Sequence, residues 1–307
     1  MKSLIIRERS ESKELRTLRA LNSRMFLSEK DKQYYLGLEK GYEGEVEFDR
    51  LVRGSFDGWL FVNDLLLEHN KTFFQIDSLG ICGDELYLFD PKNFEGDFVV
   101  NGDRWQTTAG KEIKNPLHQL NRCESLLRRF LQERGLPVSI KPYLIFINPT
   151  FTLYQAPQNP SFIFPTQLNS FINNLKRIPS NPSSKGTRIA KLLMDAHIED
   201  YPNPFIPSYE YSDLRKGIVC SKCRAFMDAS SKQRRMICGE CSYREALESA
   251  VMRSVAEFQL LFPEKKVSTV EIFEWCGRIW CKKTIQRVLM RNLTCMRHNK
   301  ATYYIRS

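Results

Sequence analysis

Two apolar runs of strand length, joined by a dipeptide that favours a tight turn, constrain the fold of this chain more than any other feature of its sequence. The runs lie within residues 73–96 and are separated by Gly83-Asp84, which is typical of a two-residue hairpin. Each run carries one acidic residue where an apolar one is expected, Asp77 in the first and Asp90 in the second. We therefore predict a buried β-hairpin with one carboxylate on each strand.

A lysine completes this pattern. Lys92 follows Asp90 by two residues, so the alternation of a strand places both side chains on one face. Two carboxylates beside a lysine suit a hard cation such as Mg²⁺ or Mn²⁺, which takes oxygen ligands and retains waters that a phosphate can displace. In such a site the lysine positions the attacking water, and the cation offsets the charge that develops on the phosphate. A surface ion pair is the alternative, because exposed pairs of this kind are common.

Four short segments extend the pattern beyond the hairpin. They are GYEGE at 41–45, QID at 75–77, DPKNFEG at 90–96 and PLHQ at 116–119. In order and approximate spacing they resemble the nuclease-related domain (NERD) family, which is itself similar to the PD-(D/E)xK nucleases, and the resemblance covers approximately the first half of the chain, residues 1–150. It implies a restriction-endonuclease-like core and metal-dependent hydrolysis of phosphodiester bonds in DNA.

The same resemblance implies roles for individual side chains. Glu45 corresponds to the helix acid of the family, and Asp77 and Asp90 correspond to its two strand acids. Lys92 corresponds to the strand lysine, and Gln119 to the polar residue of the following helix. We expect these five residues to be catalytic, with Asp77 and Asp90 holding the Mg²⁺ or Mn²⁺ ion.

One position departs from the family pattern. The family usually has glutamate, a β-branched residue and lysine where this chain has Asp90-Pro91-Lys92. Aspartate is one methylene shorter than glutamate, and proline lacks the N–H that a central strand would donate. A second hypothesis is therefore a DNA-binding or regulatory protein that keeps the nuclease fold with weak or no catalysis. A third is an enzyme that acts on RNA or on single strands.

Nine cysteines are an odd number for a set of disulfides, and four of them form two close pairs. Cys220-x2-Cys223 and Cys238-x2-Cys241 are separated by fourteen residues, a spacing typical of a four-thiolate zinc site built from two turns. Because all four positions around the metal would be thiolates, we predict a structural zinc ion. Free or redox-active cysteines are the alternative.

The C-terminal part carries most of the excess positive charge. The chain has a formal net charge of +10, and residues 275–307 contain eight Lys or Arg and no Asp or Glu. Helical patterns over 247–262, from Ser268 or Thr269 to about Cys276, and over 282–292 precede an alternating segment at 294–305 with a turn at 299–300. Three helices and a hairpin predict a winged helix-turn-helix, whose third helix enters the major groove of duplex DNA. A module for protein contact alone is the alternative.

Specific residues follow from this prediction. The candidates for nucleic-acid binding are Lys282, Lys283, Gln286, Arg287, Arg291, Arg297 and Lys300. Three basic residues between the cysteine pairs could also meet phosphates or lie in a solvated turn, namely Lys232, Arg234 and Arg235. The remaining cysteines of this region, Cys276, Cys281 and Cys295, are expected to pack as small apolar residues.

The other segments predict a mixed α/β core. Leucine spacing over 9–40 indicates a helical arm with a cap at Ser28, and a separate helix begins after Gly41 and carries Glu45. A helix opened by Asn115-Pro116 and a buried strand at 143–147 complete the core. We predict a nuclease domain with its arm at 1–178, a linker with a short helix at 179–215, a zinc ribbon-like module at 216–245 and a winged helix-like domain at 246–307.

Composition agrees with a globular protein. The 307 residues are 42% hydrophobic and 27% charged, which is enough for about two domains and a sizeable core. No uncharged apolar run approaches the ~18 residues of a membrane span, and the apolar cluster at 4–6 is followed at once by Arg7 and Glu8. We therefore expect a cytoplasmic protein without a membrane partner, and the sequence does not indicate its oligomeric state.

Overall fold

The computed structural model describes residues 4–54, 56–179, 181, 183–227, 235–298 and 301–305. The chain divides into two compact units. The first comprises Met1–Ser12 and Leu36–Asn203, and the second comprises Lys13–Tyr35 and Pro204–Ser307. We had expected the first domain to end near residue 178 and to include the N-terminal helical arm, and the observed division differs at both points.

The elements up to residue 203 alternate between strands and helices. In chain order they are β1 (Leu4–Arg7), α1 (Lys13–Arg24), α2 (Glu29–Val52), β2 (Leu60–His69), β3 (Thr72–Cys82), β4 (Glu85–Lys92), β5 (Asp97–Asn101), β6 (Arg104–Thr107), β7 (Glu112–Ile113), α3 (Pro116–Gln132), β8 (Ser139–Phe146), β9 (Thr152–Tyr154), β10 (Phe162–Ile163), α4 (Leu168–Lys176) and α5 (Ser184–Asp195). Six strands form a mixed sheet in the order β1-β2-β3-β4-β8-β10, and four form a second sheet in the order β7-β6-β5-β9. The predicted mixed α/β class is confirmed.

The predicted hairpin lies at the centre of the larger sheet. β3 and β4 pair antiparallel and are joined by Gly83-Asp84 between the paired residues Cys82 and Glu85. Gly83 has a φ of 57°, which a glycine adopts without steric cost. β4 pairs on its other side with β8 in parallel, so its residues are enclosed by neighbours, and all but its first and last residues are buried.

The pairing of β3 with β4 ends before the ends of these strands. The last pair is Ser78 with Phe89, so the next residues in register, Asp77 and Asp90, stand where the two strands separate. Pro91 lies beyond this point, while its strand still pairs with β8 through Lys92. The absent N–H of Pro91 therefore falls outside the pairing between β3 and β4, which explains how a central strand accommodates a proline.

The helix α2 differs from the sequence prediction. Two helices separated near Gly41 were predicted, and this was wrong, because one helix runs without a break from Glu29 to Val52. The predicted cap is present: the backbone N–H of Asp31 donates to the Ser28 hydroxyl over 3.1 Å. Gly44 gives the helix a flat face, since a Cβ there would lie 2.6 Å from the Cβ of Asn93. The glycine thus permits close contact between α2 and the segment that follows Lys92.

Helices cover both faces of the larger sheet. α2 and α4 pack on one face through residues that include Phe48, Val52 and Ile172. α3 and α5 contribute to the core on the other face, α5 through Ile189 and Leu193. The segment predicted as a linker therefore contains a helix that belongs to the first unit.

The second unit combines α1 and part of α2 with the C-terminal elements. These are β11 (Arg235–Ile237), β12 (Arg244–Ala246), α6 (Leu247–Leu261), α7 (Thr269–Trp275), α8 (Lys282–Asn292), β13 (Thr294–His298) and β14 (Ala301–Ile305). β13 and β14 form an antiparallel hairpin, and the predicted turn at 299–300 lies outside the described residues. Ser268 caps α7 by accepting from the N–H of Glu271 over 3.1 Å.

An arginine organises the core of this unit. The side chain of Arg24 is fully buried and pairs with Glu257 over 2.6 Å. Its guanidinium also donates to the carbonyls of Arg215 and Gly217 and lies 4.0 Å from the ring centroid of Trp275.

In the described part of the chain, no helix combines the length and apolarity needed to cross a membrane.

Candidate active site and cysteine cluster

The point where β3 and β4 separate brings the predicted strand residues together. Asp90 is 6% exposed, and the Nζ atom of Lys92 lies 2.5 Å from its Oδ1 atom. The side chain of Asp77 lies close enough to Asp90 to contribute to the raised pKa of that carboxyl group. Two carboxyl groups and one ammonium group therefore meet inside the sheet, as the spacing of the two strands predicts.

Glu45 approaches the same region from α2 and is held by an arginine. The guanidinium of Arg9 lies 2.5 Å from Glu45 Oε2 and donates two hydrogen bonds to Asp49, over 2.8 and 3.1 Å. It also donates to the main-chain carbonyl of Asp77 over 2.7 Å. Arg9 thus connects one turn of α2 to the strand that carries Asp77.

Burial changes the protonation of these acids. Burial and the charge of Asp77 raise the pKa of Glu45 to about 8, although Arg9 opposes the change. Burial also raises the pKa of Asp90 to about 7, with Asp77 adding to the shift and Lys92 opposing it. The pKa of Lys92 is raised by the carboxylates around it, which outweigh its burial. Perturbed groups of this kind are typical of functional sites.

The charges of the cluster fit a divalent cation. Five carboxylates interact with three cationic side chains, so two negative charges are uncompensated when all groups are ionised; the members are Glu45, Asp49, Asp64, Asp77, Asp90, Arg9, Lys92 and Arg7, which pairs with Asp64. Oxygen ligands of this type suit Mg²⁺ or Mn²⁺. Asp77 and Asp90 are the two that could share one ion.

Gln119 lies beside this pair. It lines a small crevice of about 10 Å³ together with Asp77 and Asp90, and its side chain is exposed at the start of α3. Asn115 places the helix by accepting from the N–H of Leu117 over 2.9 Å, and Pro116 occupies the first helical position. Cys123 lines the crevice from the next turn and donates to the carbonyl of Gln75 over 3.2 Å.

Three further charged residues of the site were missed by the sequence prediction. Arg9 and Asp49 are two of them, and Asp64 is the third. Asp64 lies in β2 between Asn63, which pairs with Ser78, and Leu65, which pairs with Ile76. It has a φ of 54° and a pKa raised mainly by burial. A positive φ in a strand is uncommon for aspartate, but neither it nor the pairing of Arg9 leaves a signal in local sequence.

The four paired cysteines converge in the second unit. Their sulfur atoms all lie within 4.8 Å of one another, with Sγ–Sγ distances of 3.7 Å for Cys220 and Cys241 and 3.4 Å for Cys223 and Cys238. A tetrahedral zinc site with Zn–S bonds of about 2.3 Å requires sulfur atoms roughly 3.8 Å apart. The cluster therefore has the dimensions of a four-thiolate metal site.

The two halves of the cluster repeat one backbone pattern. The N–H of Cys220 donates to the carbonyl of Ala225, and the N–H of Cys238 donates to that of Tyr243. Directly after each pair, the residue four positions beyond the first cysteine has a positive φ, 64° at Arg224 and 58° at Ser242. This repetition explains how two separate segments present their thiolates in the same way.

The exposed face of α8 carries the basic residues that the sequence singled out. Lys282, Lys283, Gln286, Arg287 and Arg291 are all exposed. Arg291 lies 3.8 Å from Glu248, so its charge is partly compensated. The side chain of Arg297 lies outside the described residues, as do Lys300, Lys232 and Arg234, and Arg235 is exposed.

The other cysteines only partly follow the prediction. Cys276 is buried, as expected of a small apolar residue. Cys281 and Cys295 are exposed, and the prediction was wrong for them. Cys281 immediately precedes α8, and Cys295 lies on the strand β13.

The first unit combines a mixed α/β sheet with the acid–lysine cluster, and this sheet fits the core of a nuclease-related domain. Residues 40–147 match the nuclease-related domain family. The matched segment begins within α2, ends just after β8 and contains all five predicted catalytic residues, whereas Arg9 lies outside it. No curated protein and no solved structure matches the chain.

Proposed function

We propose that this protein is a divalent-metal-dependent nuclease that hydrolyses phosphodiester bonds of DNA. The observation that carries the proposal is the buried Asp90–Lys92 pair beside Asp77, at the point where two central strands of a nuclease-related domain separate. The sheet fixes all three side chains, so the site would be preorganised before substrate arrives.

Asp77 and Asp90 would hold the cation. When bound, a Mg²⁺ or Mn²⁺ ion supplies positive charge for the phosphate oxygens and lowers the pKa of a bound water. The two uncompensated negative charges of the cluster support this assignment. Burial raises the pKa of Asp90, and the charge of Asp77 adds to the shift although Lys92 opposes it, because like charges at close range oppose ionisation.

The remaining residues would act on water and phosphate. Lys92, held by Asp90, is the residue that positions the attacking water through its ammonium N–H groups. Gln119, which lines the same crevice, would donate a hydrogen bond from its amide to a phosphate oxygen. Glu45 would order the water on the side of the cluster that faces α2.

The second unit would bring the nucleic acid to this site. Four thiolates with the dimensions of a tetrahedral site support a structural zinc ion in the module at 216–245. Three helices followed by a hairpin support a winged helix-turn-helix at 246–307, and an isolated antiparallel bridge between Val267 and Tyr304 joins the segment before α7 to that hairpin. The exposed basic face of α8 would then enter the major groove of duplex DNA.

The test is a cleavage assay with the full chain on duplex DNA, single-stranded DNA and RNA, with Mg²⁺ or Mn²⁺. Asp77→Asn and Asp90→Asn should each abolish cleavage, because each removes a charged oxygen ligand. Lys92→Ala should bind metal and DNA but cleave slowly. The matched control is Asp84→Asn, which changes an exposed acid at the opposite end of the same hairpin and should cleave like the wild type.

The assay also separates the rival functions. A wild-type rate equal to the Asp90→Asn background on every substrate would support the DNA-binding or regulatory protein that keeps the fold without the chemistry. Faster cleavage of RNA or single strands than of duplex DNA would replace the proposed substrate and keep the proposed reaction.

A further inference from the structure

Arg9 is a buried cation that the proposed cleavage reaction does not itself use. Its side chain is 3% exposed, and its guanidinium makes four hydrogen bonds, to Glu45, to Asp49 twice and to the carbonyl of Asp77. Removing an arginine from water is costly unless good partners replace its hydration. The four bonds provide those partners and leave the group little freedom to move.

The hydrogen bonds of Arg9 differ in geometry and in role. The Nε and one terminal nitrogen of Arg9 grip both oxygens of Asp49, which is the strong bidentate arrangement that only arginine can make. This grip leaves the other terminal nitrogen directed at Glu45, which lies one helical turn before Asp49 on the same face. The bond to the Asp77 carbonyl then fixes the assembly to β3.

Glu45 needs such a partner to remain beside the strand acids. It is repelled by Asp77 and, more weakly, by Asp64, and a glutamate on a helix can rotate away from like charges at small cost. Arg9 offsets this repulsion, and its contact distance of 2.5 Å restricts the rotation. Lys92 performs the corresponding role for Asp90, so each cation of the cluster holds one of the predicted site acids in place.

We propose that Arg9 is a positioning residue of the nuclease site, which fixes the Glu45 carboxylate beside the Asp77–Asp90 pair and leaves these two acids to the cation. The inference rests on the proposed nuclease function. It adds a residue from outside the matched segment 40–147, so the working site would extend to the N-terminal residues that follow β1.

A purely structural clamp between α2 and the sheet is the competing explanation. Both roles predict a loss of stability when Arg9 is changed, so stability alone does not separate them. A positioning role acts through Glu45, and its loss should lower kcat without weakening the binding of DNA or of the cation. A structural role should lower all three together as the site loosens.

The experiment measures cleavage and Mn²⁺ binding on the full-length chain for Arg9→Gln, Arg9→Lys, Glu45→Gln and the double variant Arg9→Gln/Glu45→Gln. Circular dichroism first establishes a temperature at which every variant is folded. The matched control is Arg53→Gln, which removes another arginine that pairs with the N-terminal segment, through Glu8, at a site where both side chains are 58% exposed. Mn²⁺ binding is read by electron paramagnetic resonance, independently of cleavage.

We expect Arg9→Gln to lower kcat by about tenfold or more, as is usual when a residue that orients a site ligand is lost, with KM for DNA unchanged within about threefold. Its affinity for Mn²⁺ should not weaken, because a positive charge has been removed nearby. Arg9→Lys should recover part of kcat, since it keeps the charge and loses the fork. The double variant should lie within about twofold of Glu45→Gln, because residues that act as one unit are not additive.

Three results would overturn the inference while leaving the proposed function in place. They are an active Arg9→Gln that matches Arg53→Gln, a parallel loss of kcat and Mn²⁺ affinity, and an additive double variant. A wild type that cleaves no substrate would instead remove the proposed function, and this inference with it.

Discussion

The protonation of the carboxylates at the candidate site depends on their interactions with Lys92 and Arg9. Asp90 has Lys92 at 2.5 Å, and Glu45 has Arg9 at the same distance, yet burial and the charge of Asp77 still raise the pKa of both acids. Attraction from one cation is therefore insufficient to offset desolvation and a neighbouring carboxylate. Folding forces these groups together, so without a bound cation the cluster stabilises the protein least when it is fully ionised.

Without divalent cations, the free energy of unfolding of the first unit should fall as the pH rises from about 5 to about 8. Glu45 and Asp90 titrate near 8 and 7 in the folded state, against about 4 when unfolded. The folded state then binds more protons in this interval, so the stability these groups contribute is complete below the unfolded pKa and is lost as the pH rises through the folded pKa. Urea unfolding in EDTA at several pH values measures this slope.

Two variants check the assignment of this slope. Asp90→Asn should flatten the pH dependence, because the amide does not titrate, and Asp84→Asn should leave it unchanged. Added Mn²⁺ should raise the stability most at pH 8, where the acids are ionised. A slope of the opposite sign in the wild type would show that the carboxylates are stabilised in their charged form.

For individual residues, the sequence predicts side-chain positions that follow from a single strand or hairpin. It misses positions that depend on tertiary contacts. Period-2 alternation was enough to pair Asp90 with Lys92, and the hairpin turn was enough to bring Asp77 beside them. Arg9 lies 36 residues before Glu45 and 68 before Asp77. It reaches them only because β1 pairs with β2 in parallel, and a four-residue strand followed by charged residues carries no pattern strong enough to predict that pairing.

Among the secondary-structure elements, α2 shows that glycines within a helical pattern do not all have the same structural role. The helix contains Gly37, Gly41 and Gly44, and glycines inside a helical pattern suggested a break at Gly41. Packing along the helix outweighed that local preference. The three glycines nevertheless differ, because nothing lies within 4 Å of a Cβ added at Gly37 or Gly41, whereas one added at Gly44 would meet Asn93.

Gly41→Ala and Gly44→Ala should therefore change stability in opposite directions. At Gly41 alanine should raise the free energy of unfolding by about 0.5–1 kcal/mol, since it removes the entropic cost of a helical glycine. At Gly44 the new methyl would lie 2.6 Å from the Cβ of Asn93. The helix α2 and the segment that follows β4 must then separate, and the free energy of unfolding should fall. Urea unfolding measures both, and equal stabilisation by the two substitutions would show that the contact with Asn93 is easily relieved.

The cysteine cluster supports a prediction about zinc binding and the folding of the segment around it. The protein should contain about one zinc per chain, and Cys238→Ser should lose it and unfold the region 216–245, because so short a segment buries little core without metal. Elemental analysis and limited proteolysis measure the two effects. Cys295→Ser, which changes an exposed cysteine outside the cluster, is the control, and freshly prepared, reduced wild type without zinc would contradict the prediction.

The elements that sequence predicts well are those with a turn or a cap of their own. The hairpin at Gly83-Asp84, the helix after Asn115 and the helix α7 after Ser268 have such signals. α5 was expected within a linker, because the residues before it are rich in proline and serine. It packs on the sheet instead, and the hydroxyl of Ser183 fixes its start by donating to the carbonyl of Gly83 over 2.8 Å.

For the whole molecule, sequence indicates which faces are apolar and leaves their partners undetermined. The helix α1 has a clear buried face, which we assigned to the nuclease core, yet Ala20 and Leu21 pack in the core of the second unit. The apolar face of an amphipathic helix is equally consistent with packing in either unit. Charge is more informative at this scale, because residues 275–307 lack acidic side chains and the basic residues of α8 are exposed.

The full chain should bind duplex DNA with a marked dependence on salt. If about four to six basic residues meet phosphates, log K should fall against log salt with a slope of roughly −4 to −5, because binding gains chiefly from the release of counterions. Lys283→Ala or Arg287→Ala should weaken binding, and a residue that meets only phosphate should reduce the magnitude of the slope by about one without changing sequence preference. The measurement is a salt titration of fluorescent duplex DNA with the Asp90→Asn chain, in which cleavage should be absent.

Arg50→Ala is the control for this titration, because Arg50 is an exposed arginine of α2 that already pairs with Glu47 over 2.8 Å. It should leave both the affinity and the slope close to those of the parent chain. A slope unchanged by Lys283→Ala and Arg287→Ala, with strong binding retained, would place the DNA on another surface. Affinity indifferent to salt would mean that phosphate contacts do not drive binding, and α8 would then be a surface for protein contact, since a one-signed basic face without a polyanion repels itself.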